Sequence, residues 1–236
     1  MKWSKPHFEE PVAGTLQNLP SQQINRIRQL QSNYQVAFEG QLRQSLALTN
    51  YLYLDLLDRA RQHFQWQVAP GAHIVDVGSQ HFYYASALHA FFQPQALTGI
   101  ELEGYRIYQD GHSRVDYAMA HIRNLPNTQY RVMDFCDFNE EVDGLTCFYP
   151  FFEPNALVRW RLPLKVFRPE LLARTMARVL KVNGVVFMVN RGETEGGRAR
   201  QLLAASGLKL VGQCTFPNPL IDWNGPPWIS LWRKGP

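Results

Sequence analysis

Residues 72–80, Ala-His-Ile-Val-Asp-Val-Gly-Ser-Gln, decide the fold of this chain. Their apolar β-branched residues predict a parallel strand buried on both faces, where such residues pack well. Gly78 follows at the point where the chain must turn, and residues 82–92 form an apolar stretch that predicts a buried helix. Strand, glycine turn and helix make the first unit of a doubly wound α/β fold, whose ligands bind at the carboxyl ends of the strands.

The turn after this strand narrows the class of ligand. A dinucleotide site needs Gly-x-Gly-x-x-Gly, so that the backbone can approach a pyrophosphate closely. Here Gly78 is present, but Gln80 and Tyr83 occupy the second and third glycine positions, which disfavours NAD. The stretch resembles motif I of the class I S-adenosylmethionine (SAM) dependent methyltransferases, in which an acid, here Asp76, precedes a glycine-containing turn. That family usually has further glycines where this chain has Gln80 and Phe82.

The rest of the chain alternates between strand-like and helix-like patterns. Further strands are predicted within residues 96–103, 129–135, 144–154, 184–190, 208–214 and 228–233. Helices are predicted within 104–124, with Asp110-Gly111 as a candidate break, and within 169–184 and 198–205. The resemblance implies a Rossmann-like, seven-stranded, mostly parallel sheet with an antiparallel last strand. The alternation itself supports an α/β doubly wound sheet.

The first part of the chain predicts an extension to this sheet. Residues 1–20 contain three prolines and predict an irregular arm, and Ser21 is a candidate N-cap for a following helix. Two or three helices are expected before the first strand, so we divide the chain into an extension, residues 1–68, and a methyltransferase-like domain, residues 69–236. The extension is expected to pack against that domain, with a cover over the substrate or a dimer surface as alternatives.

The resemblance implies SAM as the cofactor and places its contacts at strand ends. Glu101 follows Asp76 by 25 residues and corresponds to the acid that binds the ribose hydroxyls, with Glu103 as the alternative. Asp134 and Phe135 correspond to the adenine contacts. The full set of expected cofactor residues is Asp76, Gly78, Ser79, Gln80, Glu101, Leu102, Asp134, Phe135 and Tyr149.

The end of the fourth predicted strand bears on the methyl acceptor. Methyltransferases that act on the amines of bases often carry Asn/Asp-Pro-Pro-Tyr here, but this chain has Tyr149 before Pro150. Base methylation by that arrangement is therefore not supported. Tyr149, Phe151 and Phe152 are candidates for an aromatic acceptor pocket or for core packing. No catalytic residue is assigned, although Tyr149, His81 and Glu193 lie near enough to the predicted cleft to be considered as a general base.

Charge is unevenly distributed along a chain whose net charge is +4. Residues 71–153 hold 4 basic and 11 acidic side chains, whereas residues 154–191 hold 8 basic and 1 acidic. The basic segment is either an ordinary solvated face paired with the acidic segment or a surface for an acidic substrate or nucleic acid. In the second case Arg159, Arg161 and Lys165, beside Trp160, are the expected contacts.

Composition excludes several other classes of protein. Cys136, Cys147 and Cys214 are odd in number and far apart, which argues against a disulfide framework and a zinc site. No apolar run approaches the roughly 18 residues of a membrane span, and the start lacks a signal-peptide pattern. We expect a cytoplasmic, SAM-dependent methyltransferase acting on a small molecule, which could form a homodimer. The alternatives are a non-catalytic protein of this fold and an RNA-directed methyltransferase.

Overall fold

The computed structural model describes residues 19–40, 44–216, 220 and 227–236, and within them seven strands form one sheet. The strands are β1 (His73–Val77), β2 (Ala96–Glu101), β3 (Thr128–Val132), β4 (Val142–Phe148), β5 (Leu180–Asn190), β6 (Leu208–Thr215) and β7 (Trp228–Lys234). Their order across the sheet is β3-β2-β1-β4-β5-β7-β6.

The sheet has the predicted direction pattern. Strands β1 to β5 pair in parallel, and β7 runs antiparallel to both β5 and β6. The predicted doubly wound, Rossmann-like sheet with an antiparallel last strand is therefore confirmed. The order reverses between β1 and β4, and a reversal of this kind opens a crevice at the carboxyl ends of the strands.

Helices precede the sheet and cover both of its faces. They are α1 (Ser21–Tyr34), α2 (Gln44–Phe64), α3 (Ala85–Phe92), α4 (Arg114–Ile122), α5 (Pro154–Arg159), α6 (Pro169–Val179) and α7 (Glu193–Ala205). Strand β5 shows how the two layers form, because its side chains alternate between faces. Phe187 and Val189 join the core beneath α1, α2 and α3, whereas Val186 and Met188 join the core beneath α6 and α7.

The N-terminal helices are tied together by buried charges as well as by apolar packing. Asp55 and Asp58 on α2 are fully buried, and both form ion pairs with Arg26 on α1. The hydroxyl of Tyr34 also donates to Asp58 at 2.7 Å. Asn50 on α2 reaches the domain itself, because its amide donates to the carbonyl of Tyr83 at 2.9 Å. The described part of the extension is therefore packed onto the first βα unit.

Three predicted helices differ from the structure in their bounds. Ser21 is the first residue of α1 rather than its N-cap, which is Pro20. The predicted helix within residues 104–124 is confined to α4, because a turn closed by the Tyr108 N–H and the His112 carbonyl occupies the preceding residues. The helix expected within residues 198–205 begins earlier, at Glu193.

The connection before β5 also differs from its prediction. Helix α6 ends at Val179, and Leu180 already belongs to β5 rather than to the buried stripe of the helix. The sequence pattern also indicates Gly184 as the residue that relaxes this turn, but the left-handed residue is Asn183, with φ of 65°. Gly184 is instead required by close approach, since a Cβ there would lie 2.8 Å from the Lys181 carbonyl oxygen. Residues 155–168, which lie between the predicted strand 144–154 and the predicted helix 169–184, contain most of α5 and a short 3₁₀ turn at Leu164–Val166.

Candidate functional site

A cleft lies where strands β1, β2, β4 and β5 end, at the crevice that the strand order predicts. Its volume is about 150 Å³, whereas about 10–15 Å³ suffices for one water molecule, so it admits an organic ligand. Residues 150–168, here called the strap, form one of its walls. Among the described residues no helix is both long and apolar enough to span a membrane, and no cluster of His, Cys, Asp or Glu side chains is arranged to hold a metal ion.

The turn after β1 keeps a glycine-like backbone at positions without glycine. Gly78, Gln80 and Phe82 have φ angles of 75°, 50° and 52°, all in the left-handed region that costs a side chain roughly 1–2 kcal/mol. The turn is nevertheless fixed by hydrogen bonds: the Gly78 and Ser79 N–H groups donate to the Ile100 carbonyl at 2.9 and 3.0 Å. Left-handed residues therefore alternate with others along this turn, at positions 78, 80 and 82.

Phe82 is accommodated because β2 carries a glycine opposite it. Its ring is fully buried, and a Cβ on Gly99 would lie 2.8 Å from two of the ring carbons. The phenyl group therefore fills space that a side chain at position 99 would otherwise take. Burying such a ring is worth roughly 1.5–3 kcal/mol, which offsets the strain in its backbone.

Glu101 ends β2 with its carboxylate at the cleft. One carboxylate oxygen accepts the N–H of Glu103 at 2.9 Å and a guanidinium N–H of Arg114 at 3.0 Å, and the other accepts the N–H of Gln80 at 2.9 Å. A carboxylate offers about four acceptor positions, so roughly one remains for a ligand hydroxyl. Burial raises the pKa of Glu101, and its N–H partners and Arg114 oppose that effect without cancelling it.

Arg114 is a site residue that the sequence analysis missed. Its side chain is 5% exposed, it pairs with Glu101, and its guanidinium lies 5.5 Å from the ring centroid of Trp160 in the strap. The sequence does hold a signal for its position. Ser113 and Asp116 form a capping box, a spacing that marks the start of a helix and so places Arg114 in the first turn of α4.

The expected adenine contacts lie at the same cleft. Asp134, Phe135 and Leu102 all line it. One Asp134 oxygen accepts the N–H of Cys136 at 2.8 Å, and the other is paired with Arg168 of the strap. Cys136 also lines the cleft, but burial raises the pKa of its thiol to about 12, which removes it as a nucleophile at neutral pH.

Asp76 and Ser79 lie beneath the cleft rather than among the residues that line it. Both are fully buried. Asp76 accepts hydrogen bonds from the hydroxyls of Thr146 at 2.6 Å and Tyr84 at 2.7 Å. Burial raises the pKa of Asp76 to about 7. Its structural role is thus to join β1 to β4 and to the turn before α3, and its role as a cofactor contact stays a prediction.

The half of the cleft at the ends of β4 and β5 is aromatic and apolar. Tyr149 and Phe151 line the cleft, as expected of acceptor-pocket residues, whereas Phe152 is buried in the core. The N–H of Tyr149 donates to the Val189 carbonyl at 2.7 Å, which holds the residue against β5. The guanidinium of Arg191, just after β5, lies 5.6 Å from the centroid of the Tyr149 ring.

The strap is fastened to the opposite rim by arginines. Arg106 donates to the Trp160 carbonyl oxygen at 3.0 Å, Arg114 packs on the Trp160 ring, and Arg168 pairs with Asp134. The sequence analysis identified the strap as basic but not which acids it meets. Charge patterns along a chain give no distances between residues 34 positions apart, which is the separation of Asp134 and Arg168.

The remaining predicted residues lie elsewhere. His81 is outside the cleft lining, with Nδ1 3.0 Å from the Tyr108 hydroxyl, and Glu193 is exposed at the start of α7. Arg161 and Lys165 are exposed on the strap, and the side chain of Arg159 lies outside the described residues. Arg168 and Lys181 of the basic segment pair with acids of the acidic segment, as expected for an ordinary paired face.

Comparisons with known proteins relate this geometry to a fold class. No protein-family model matches the sequence, and neither does any curated protein. Solved structures do match. A SAM-dependent methyltransferase from Aquifex aeolicus aligns with a TM-score of 0.56 and 13% identity over 77% of this chain and 91% of that one. The N-methyltransferase NodS from Bradyrhizobium japonicum gives 0.54 and 11% over 78% and 94%.

A third solved structure belongs to the same class. Geranyl diphosphate C-methyltransferase from Streptomyces coelicolor, determined with S-adenosylhomocysteine, gives a TM-score of 0.54 and 12% identity over 76% of this chain and 75% of that one. These structural alignments establish the architecture of the chain. At identities this low they do not identify its substrate. The chain has the fold of the class I SAM-dependent methyltransferases.

Proposed function

We propose that this protein is a SAM-dependent methyltransferase that acts on a small-molecule acceptor. One observation carries the proposal: Gly78 and Glu101 stand side by side at the ends of β1 and β2 and both line the cleft. Gly78 has no atom within 4 Å of where its Cβ would be, so a ligand can approach its backbone. These residues therefore fit a nucleoside cofactor.

Each residue has a proposed role in holding the cofactor. Glu101 accepts a ribose hydroxyl at its remaining acceptor position, and Arg114 holds its carboxylate in place. Leu102 and Phe135 offer an apolar surface for the base, and Asp134 accepts the exocyclic amine once Arg168 releases it. SAM supplies an activated methyl group on a sulfonium. The contribution of the protein is to align the acceptor with that group and to exclude water, since proximity supplies much of the rate in such transfers.

The second half of the cleft supports a small acceptor rather than a nucleic acid. Its wall is built from aromatic and aliphatic side chains of β4 and the strap. An enclosed, mostly apolar cleft with a few polar groups is the usual form of a small-molecule site.

Titration calorimetry with SAM and with S-adenosylhomocysteine tests the proposal. We expect micromolar binding to the wild type, and at least about tenfold weaker binding to Glu101→Gln, because a hydrogen bond to a charged acceptor is worth about 1.5–3 kcal/mol. Glu103→Gln is the matched control, since Glu103 is the neighbouring acid and pairs with Arg106 at the rim. Its affinity should stay within about twofold of the wild type.

Two results would change the assignment. Weaker binding to Glu103→Gln with unchanged binding to Glu101→Gln would transfer the ribose contact to Glu103. Absence of binding to the wild type, with a cooperative melting transition, would favour the non-catalytic alternative, in which Gln80 and Phe82 exclude the cofactor.

A further inference from the structure

Three arginines line the cleft, and they differ in how their charge is neutralised. Arg114 pairs with Glu101 at 3.0 Å, and Arg168 pairs with Asp134. Arg191 lines the same cleft and has no ion pair within 4 Å among the described residues, although its charge acts on the carboxylate of Glu195. Arg191 is thus the one arginine of the described lining without a lining acid as its partner, and it lies in the half of the cleft lined by Tyr149 and Phe151, here called the acceptor half.

The surroundings of Arg191 hold its guanidinium in a form suited to binding. Glu195, which is 7% exposed, accepts the backbone N–H of Arg191 at 2.8 Å and so fixes where the side chain starts. The guanidinium then lies against the face of the Tyr149 ring. A ring face holds an arginine without using its N–H groups, because the attraction comes from the π system. Among the described residues no acid pairs with the N–H fork of Arg191, so the fork is available to a ligand there.

The wall beside Arg191 is apolar. Pro150, Phe151 and Leu157 line the cleft on the strap side, and Phe151 contacts Trp160 edge to face with 6.3 Å between ring centroids. Such a surface binds a flat apolar body but offers few polar partners. A ligand that satisfies both the wall and Arg191 combines an apolar body with one anionic group, which arginine recognises through two parallel hydrogen bonds.

We propose that the acceptor half binds a small molecule with a flat apolar body and one carboxylate or phosphate group, and that Arg191, supported by Tyr149, binds the anion. As a statement about the methyl acceptor, this inference rests on the proposed function. As a statement about an anion site in the cleft, it is independent of cofactor binding.

Ligand-observed NMR titrations of the full-length protein with benzoate, phenyl phosphate and benzamide test the inference. The three probes share a ring, and benzamide lacks the charge. We expect one of the anions to bind at least about tenfold more tightly than benzamide, and the stronger of the two identifies the anion class. Arg191→Gln should remove the preference for the anion and leave the affinity for benzamide unchanged. Tyr149→Leu should reduce the preference for the anion.

Arg200→Gln is the control, because Arg200 is an exposed arginine farther along α7 and outside the cleft lining. It should bind all three probes as the wild type does. Equal affinities for benzoate, phenyl phosphate and benzamide in the wild type would overturn the inference. Equal loss of anion binding in Arg191→Gln and Arg200→Gln would also overturn it, because the attraction would then be a general effect of charge.

The same samples separate this inference from the proposed function. S-adenosylhomocysteine should bind Arg191→Gln as tightly as the wild type, because Arg191 lies in the acceptor half. Anion binding that depends on Arg191 without any binding of S-adenosylhomocysteine would contradict the methyltransferase proposal and retain the anion site. Binding of S-adenosylhomocysteine without a preference for anions would contradict the anion site and retain the methyltransferase proposal.

Discussion

The two halves of the cleft are built by different means. The cofactor half consists of strand ends and a turn whose backbone is fixed, and its key acid, Glu101, is buried against Arg114. The acceptor half consists largely of side chains on the strap, and the strap is fastened partly by Arg168, whose side chain is 42% exposed. The geometry of the cofactor half therefore depends on a buried ion pair. The geometry of the acceptor half depends on exposed contacts, which a ligand can replace with little loss of folding free energy.

Arg114→Met is expected to break the cofactor half most severely. It leaves Glu101 buried without its cation, and losing one partner of a buried pair costs about 3–5 kcal/mol. Urea unfolding followed by circular dichroism measures the loss. Arg106→Met is the control, because Arg106 is 36% exposed and pairs with a half-buried acid, so its loss should cost below about 1 kcal/mol. Similar losses in both variants would contradict the contrast drawn here between buried and exposed pairs.

Asp76→Asn should change how stability depends on pH. The folded protein holds a proton on Asp76 up to a pKa of about 7, whereas the unfolded chain releases it near the ordinary value of 3.8. The contribution of Asp76 to the free energy of unfolding therefore falls by about 4 kcal/mol as the pH rises from its unfolded pKa to its folded pKa. The variant cannot ionise at this position, so its stability relative to the wild type should rise from pH 4 to pH 8. Parallel profiles for the two proteins would contradict this.

Glycine substitutions at two positions of the turn after β1 should change the stability of the fold in opposite directions, although both residues have the same left-handed backbone conformation. Phe82→Gly removes a fully buried ring next to Gly99 and should cost about 3 kcal/mol. Gln80→Gly removes left-handed strain without removing a buried ring and should be neutral or stabilising by up to about 1 kcal/mol. Urea unfolding of both variants measures the pair. Destabilisation of equal size would show that side-chain packing does not distinguish the two positions.

Arg168→Gln should have the smallest effect and acts at the strap. An exposed ion pair contributes little to folding, so the melting temperature should stay close to that of the wild type. Freeing Asp134 should strengthen the binding of S-adenosylhomocysteine by about two- to fivefold, because the ligand no longer competes with the arginine. Calorimetry measures this. Unchanged affinity would remove Asp134 from the cofactor site and leave its pairing with Arg168 a purely structural contact.

Local sequence was sufficient for elements whose residues carry their own signal. The β-branched run around Asp76 predicts β1, and Pro169-Glu170 predicts the start of α6. It failed for residues 104–113, where apolar residues at helical spacing predicted a helix. Tyr105 and Ile107 are 74% and 67% exposed, because the segment is a turn that no core layer covers.

The sequence by itself determined the succession of strands and helices along the chain, the glycine turn and the acids that follow the strands, because each depends on residues close together in the chain. Only the tertiary structure decided which charges meet. Arg114 reaches Glu101 across a turn, and Arg168 reaches Asp134 from the strap. Arg191 lies against the ring of Tyr149 and forms no ion pair within 4 Å among the described residues. Electrostatic energy depends on distance and on burial, and the fold sets both.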